Sequence, residues 1–207
     1  MYQLPPFVEA NQEAIFSFMS EHPFALLMGS DFAATQTPLL LHRSGDTIVI
    51  RGHYMRDTDH YCSFKNNPEV LVMFQGPQCY VSAGWYSKRG IGSTWNYMSV
   101  QANATLRFYD DEQTRTFLQE LTHHFEDGRP QPELVEHMRD GYINSSLKAI
   151  VGFEAELRNV RATFKLSQNR DDTSYIRIVH ELESIGKPQE LMIVAEMKKR
   201  RPHLFEG

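Results

Sequence analysis

Two cysteines in 207 residues leave no room for a disulfide framework, and neither belongs to a Cys-x-x-Cys pair. Cys62 and Cys79 therefore read as free thiols, which suits a reducing cytoplasm. No apolar run approaches the ~20 residues that a membrane-spanning helix needs. Met1–Phe7 lacks a basic stretch followed by an apolar one, so no signal peptide is expected. Positive charge is in the minority, with 21 Lys and Arg against 26 Asp and Glu and a net charge of -5. That balance argues against direct nucleic-acid binding and against attraction to anionic lipid. A Gly-x-Ser-x-Gly elbow and a Gly-rich phosphate loop are both missing, as is any internal repeat. Nothing names a nucleophile or a general base, so no catalytic residue is assigned.

What is present is a chain of ordinary globular composition, 41% hydrophobic and 23% charged. Its 12% aromatic content favours strands and packed interfaces. Val100, Ala102, Ala104, Leu106 and Phe108 alternate with polar or small residues, and Val151, Phe153, Ala155 and Leu157 do the same. Period two over that length predicts strands with one buried face. Phe24–Met28 reads as a buried strand, and Pro38–Leu41 with Thr47–Ile50 reads as a hairpin around Ser44-Gly45-Asp46. Val70–Phe74 and Cys79–Ser82 read as two strands turning at Gly76-Pro77.

Helical spacing follows Asn11, a predicted N-cap, up to Pro23. It returns over 56–66, after Asp110, over 132–149, and in two C-terminal helices divided at Gly186 and Pro188. Strands at hairpin spacing without strand–helix alternation predict an antiparallel barrel with attached helices rather than a doubly wound sheet.

Several constellations carry possible chemistry. Arg51 and His53 share a strand face at a strand end, with Arg56 and Thr58 close behind, a set able to hold a phosphate. Trp85, Tyr86, Trp95 and Tyr97 can wall a flat ring or seal an interface. His123 and Glu126 are too few for a metal site, so none is assigned. Lys198–Arg201 reads as a solvated helix end, with a nucleic-acid contact as the lesser alternative. Ala162–Asp172, A-T-F-K-L-S-Q-N-R-D-D, is an unusually polar connector between a strand and a helix.

These pieces occur in a recognisable order. H-P-F-A at 22–25, P-L-L-L at 38–41, G-H at 52–53, F-Q-G-P at 74–77, T-W-N-Y at 94–97, I-V-G-F at 150–153 and K-L-S-Q-N-R at 165–170 follow one another. The chain resembles, over about residues 1–185, the PaiB-like family of FMN-binding negative transcriptional regulators. The resemblance implies a β-rich α+β fold, the split β-barrel of the flavin-reductase and pyridoxamine-phosphate-oxidase type, with peripheral and C-terminal helices. It implies a single domain over 1–207, with a helical insertion near 110–149 and terminal helices near 171–201. It further implies a homodimer with a small planar ligand, FMN, at the subunit interface.

The family pattern carries His53, Arg56, Gln75, Ser82, Trp85, Trp95, Asn96, Lys165, Ser167, Gln168 and Asn169 into the cofactor site, beside Arg51 and Thr58 from the strand reading. Gln36, Thr58, Asp59, Tyr61 and Gln101 depart from the usual residues, and the added Asp59 opposes a phosphate by direct repulsion. The alternatives are a flavin-reductase-like, FMN-dependent oxidoreductase, whose chemistry the flavin itself would supply, and a member whose ligand is lost or changed. Haem binding and direct DNA binding complete the set. Haem needs an axial ligand, and Gln36 and Gln101 stand where the family has histidine.

Overall fold

The computed structural model describes residues 4–206. In chain order it contains β1 (Val8–Glu9), α1 (Gln12–Glu21), β2 (Phe24–Gly29), β3 (Ala34–Pro38), β4 (Leu40–Ser44), β5 (Thr47–Met55), α2 (Asp59–Asn66) and β6 (Glu69–Val81). There follow β7 (Thr94–Thr105), β8 (Arg107–Phe108), α3 (Asp111–Glu126), α4 (Asp140–Ala149), β9 (Ile150–Glu156), β10 (Arg158–Lys165), α5 (Asp172–Ile185) and α6 (Pro188–Arg200). The fold is α+β, with antiparallel sheets and no closed sheet among the described residues.

The chain divides into two units built from interleaved segments. A terminal unit holds Met1–Phe18, Gln75–Val100 and Arg161–Gly207; a central unit holds Met19–Phe74 and Gln101–Val160. They differ in charge. The terminal segments carry 11 Lys and Arg against 9 Asp and Glu, and the central segments 10 against 17. The net -5 is thus an acidic central unit masking a mildly basic terminal one.

In the central unit, β4-β5-β9-β8 form one antiparallel sheet, with Leu41 opposite Ile50, and Gly52 opposite Phe153. β2 lies between β3 and β6. Burial alternates along β5, so Ile48, Ile50, Gly52 and Tyr54 face inward. Asp110 caps α3 in a capping box, its carboxylate accepting from Gln113 N at 2.8 Å while Gln113 Oε1 accepts from Asp110 N. The α3 stripe buries Phe117 and Leu121 against Leu40.

In the terminal unit, strand order is β1-β10-β7-β6, with Val8 opposite Thr163. α5 and α6 pack through Tyr175, Ile178, Leu182, Ile193 and Met197, all essentially buried, and Tyr175 OH donates to Met197 O at 2.9 Å. Gly186 at φ 67 ends α5, and Pro188 opens α6, the left-handed C-cap and first-turn proline expected there. Asn11 Oδ1 accepts from Ala14 N at the start of α1, as an N-cap side chain does.

Four sequence-based expectations are corrected. Gly76-Pro77 is no turn: β6 runs unbroken from Glu69 to Val81. Its buried positions are Val70, Val72 and Phe74, then Pro77, Cys79 and Val81, so the buried face changes from even to odd numbers. One inserted residue does that, and a bulge also tolerates the proline's missing N–H. His53 is no strand end, because β5 continues to Met55. The long strand from Val100 starts earlier, at Thr94, and breaks at Leu106. The helix over 132–149 is real only from Asp140, since Met138 and Arg139 are extended and Val135–His137 is a lone 3-10 turn.

Candidate functional site

The residues singled out in the sequence fall into two groups, one in each unit. In the terminal unit, Trp95 stands on the outer face of β7 with its side chain 54% exposed. On β6, Tyr80 is 49% exposed and meets Trp95 edge to face, ring centres 6.1 Å apart. An exposed indole beside an exposed phenol on adjacent strands is an aromatic platform that water covers at a cost.

Lys165, at the end of β10, borders this platform. Its Nζ donates to Thr94 Oγ1 and to Trp95 O, both at 2.5 Å. The ammonium also stands 5.6 Å from the centre of the Phe7 ring, and of its three donors the third meets no hydrogen-bond acceptor among the described residues. Burial lowers the Lys165 pKa, and Arg170 pushes it the same way. Ser93, Thr94, Trp95, Tyr97 and Lys165 line an open groove of 440 Å³. Gln75 is exposed on β6 and Trp85 is half-buried in the 3-10 turn Ala83–Trp85, whose cap is Ser82 accepting from Gly84 N at 3.1 Å.

The polar connector after β10 is mostly occupied with itself. Ser167 Oγ donates to the buried Asn96 Oδ1 at 3.0 Å. Asn96 Nδ2 points to Met197 Sδ at 3.5 Å. Gln168 folds back, accepting from Leu166 N at 2.7 Å and donating to Phe164 O. Arg201 Nη2 donates to Gln168 O at 2.8 Å. Asn169 is exposed. Asn96, Ser167 and Gln168 therefore hold the loop on β7, and Lys165, Asn169 and Arg170 are the motif residues whose polar groups are not all taken up by it.

In the central unit, the residues read as a phosphate site are already spoken for. Arg56 Nε donates to Ile150 O at 2.7 Å and its Nη2 pairs with Asp111 at 3.2 Å. Arg51 pairs with Glu120 at 2.5 Å. Thr58 caps α2, accepting from Tyr61 N at 3.3 Å and donating to Met55 O at 3.0 Å. Asp59 accepts from His60 N at 2.7 Å. The departures at Thr58 and Asp59 thus start a helix. His53 packs on Phe117, rings 6.0 Å apart, and burial lowers its pKa; its Nδ1 meets no partner among the described residues.

A 270 Å³ cleft lies on this side of α3, lined by Arg51, Arg107, Glu112, Glu120 and Glu154 among others, with Arg107 and Tyr109 both on Glu154. Its arginines are matched to carboxylates that a phosphate would have to displace. The central unit therefore fits a phosphate poorly. The terminal unit fits a planar heteroaromatic group well, with a ring platform, a cation and hydroxyls.

Two other motifs reduce to local structure. Lys198, Lys199, Arg200 and Arg201 meet Glu183, Glu196, Glu9 and Asp172 respectively, so the basic run is neutralised in place. His123 pairs with Asp127 at 3.1 Å, and Glu126 with Arg129. Among the described residues no group of three or more His, Cys, Asp or Glu is placed to hold a metal. No helix among them is long and apolar enough to cross a membrane. Cys79 is buried, which pushes its thiol up to about 12; Cys62 is exposed.

Sequence reasoning missed Tyr80, whose exposure follows from its alternation with buried Cys79 and Val81 on β6. It also missed Thr94, which carries half of the Lys165 anchor.

Comparison with known proteins agrees with the fold. The flavocytochrome Anf3 of Azotobacter vinelandii superposes with a TM-score of 0.53 at 13% identity, over 76% of this chain and 69% of that one. The FAD and heme binding protein of Mycobacterium smegmatis does so at 0.52 and 18%, over 76% and 73%. At such identities they speak for the fold alone. The chain is 30% identical over 203 residues to the "Protease synthase and sporulation protein PAI 2" of Bacillus subtilis, covering 97% of this chain and 98% of that one. Residues 1–159 match the family described as "Putative FMN-binding domain", and the chain belongs to that family.

Proposed function

We propose that this chain is a flavin-binding regulatory or sensor protein that takes FMN at the interface of a homodimer. The fold reading that goes with it is the split barrel of the flavin-reductase type, and its free thiols suit the cytoplasm. Family membership and the relationship to the sporulation protein support this reading. One observation carries it for this chain: the exposed Trp95–Tyr80 platform lies beside Lys165, whose ammonium, near the Phe7 ring, has a third N–H with no hydrogen-bond acceptor among the described residues. An isoalloxazine needs such a surface, with a flat apolar face and a donor at its edge. On a monomer the platform is open to water; a second copy laid over it would enclose the ring.

The test is an equilibrium titration of the full chain with FMN, read by quenching of flavin fluorescence, with the mass of the species measured by sedimentation in parallel. Saturable binding to a dimer is expected. No quenching at millimolar FMN would remove the flavin reading, and binding to a monomer would remove the interface. Bleaching of the bound flavin by a nicotinamide donor would favour the oxidoreductase alternative.

A further inference from the structure

The segment between the 3-10 turn and β7 reads Ser87-Lys88-Arg89-Gly90-Ile91-Gly92-Ser93. Both of its ends are fastened within the terminal unit. Ser87 N donates to Ser174 Oγ at 2.9 Å, and Ser87 Oγ donates to both Asp171 carboxylate oxygens, at 3.0 and 3.1 Å. Ser93 Oγ accepts from Ala83 N at 3.0 Å. Between these anchors, nothing among the described residues hydrogen-bonds or ion-pairs with Lys88, Arg89, Gly90, Ile91 or Gly92, and all five are exposed.

Lys88 and Arg89 stand apart from the four cations of the C-terminal run, which all meet carboxylates. Their backbone N–H groups likewise meet no partner among the described residues, and a Cβ at Gly90 or Gly92 would meet nothing within 4 Å, so a ligand has room to approach the main chain. Gly90 takes the left-handed conformation at φ 77. Successive free amides around such a residue form a concavity that suits an anion.

Two more cations flank the loop. The Arg170 guanidinium lies over the ring of Tyr86, 4.1 Å from its centre, and meets no carboxylate among the described residues. Tyr86 immediately precedes the loop's first anchor. Lys165 borders the groove into which the loop's last residue, Ser93, leads. The result is a basic rim next to an aromatic platform, in a chain whose overall charge is negative.

We infer that the Ser87–Ser93 loop binds the phosphate of the ligand, with Lys88 and Arg89 as its charged donors and Arg170 as a fixed cation behind them. The inference rests on the flavin reading above and moves the phosphate from Arg56 to this loop. The ligand class is a phosphomonoester carried on a planar heteroaromatic ring. Riboflavin, which has the ring without the phosphate, separates the two parts.

The full chain and its Lys88→Ala/Arg89→Ala variant are titrated with FMN and with riboflavin, and inorganic phosphate is added as a competitor. Both side chains are exposed, so the fold is expected to survive, and circular dichroism checks it. Wild type should bind FMN about tenfold to a hundredfold more tightly than riboflavin, the range that charge-assisted hydrogen bonds give. The double variant should lose that preference and bind both ligands as wild type binds riboflavin. Phosphate should weaken FMN binding to wild type and leave riboflavin binding alone. If wild type does not distinguish the two flavins, or if the variant still does, the phosphate assignment fails while the flavin reading stands. If neither flavin binds wild type, the flavin reading and this inference fall together.

Discussion

Ser167 Oγ donates to Asn96 Oδ1 at 3.0 Å, joining the K-L-S-Q-N-R segment to the T-W-N-Y segment inside the terminal unit. Asn96 is fully buried and Ser167 is 3% exposed at φ 62. A serine in the left-handed region costs about 1 kcal/mol or more, and the bond helps to hold it there. Asn96→Ala would leave a buried hydroxyl without its acceptor. It is expected to lower stability by about 1–3 kcal/mol in urea denaturation. A double-mutant cycle with Ser167→Ala should show coupling of about 0.5–1.5 kcal/mol. Strict additivity would mean that the two motifs are independent.

Gly52 should not accept a side chain. A Cβ there would sit 2.7 Å from Phe153 Cζ and 2.8 Å from Leu39 Cδ2. Phe153 cannot easily yield, since it is fully buried and stacked on Tyr54 at 5.0 Å. Gly52→Ala is expected to destabilise by about 1–3 kcal/mol, as overpacking does. An unchanged thermal midpoint would contradict the packing described here.

The Tyr54 hydroxyl is buried with no hydrogen-bond partner among the described residues, and its ring packs against His60, Tyr61, Phe64, Phe108 and Phe153. Burial raises its pKa, so it stays a neutral, unsatisfied donor. Tyr54→Phe removes that group and keeps the ring. Stability should hold or rise by up to about 2 kcal/mol. A loss of similar size would reveal a partner for the hydroxyl.

His53 gives stability a pH dependence of known sign. Burial lowers its folded pKa below the ordinary value of about 6.5. Below that value the unfolded chain takes up a proton that the folded chain resists, so folding weakens as pH falls. The loss continues until pH passes the folded pKa. Urea midpoints from about pH 7.5 down to about pH 5.5 should fall less steeply in His53→Phe than in wild type. Equal slopes would show that His53 is not the group responsible.

Much of this architecture is legible in the chain, for physical reasons that differ by element. Period-two alternation marks β9 and the second half of β7, because alternate positions there are the more deeply buried, and Asp110, Gly186 and Pro188 mark helix ends through local backbone chemistry. β6 is misread at Gly76-Pro77 because Gly-Pro is a turn signal and the alternation breaks there, while the strand itself runs on with its buried face shifted by one position. The site is less legible. The residue types of Arg56, Asn96 and Ser167 suit a ligand, yet Arg56 is held by Asp111 and Ile150, and Asn96 and Ser167 by each other. Those pairings are non-local, so sequence cannot tell a spent donor from a free one. Lys88 and Arg89 carry no signal in the sequence for the converse reason: what sets them apart is the absence of partners among the described residues.

The ligand ring is proposed to lie on Trp95 and not near Arg56, and one comparison tests that directly. Trp95→Ala and Arg56→Ala are titrated with FMN by flavin fluorescence, each first shown to be folded by circular dichroism. Losing the platform should weaken FMN binding by about tenfold or more, the value of stacking on an aromatic ring, while Arg56→Ala stays within about threefold of wild type. Unchanged binding by Trp95→Ala, with a large loss in Arg56→Ala, would contradict the account and return the site to the central unit.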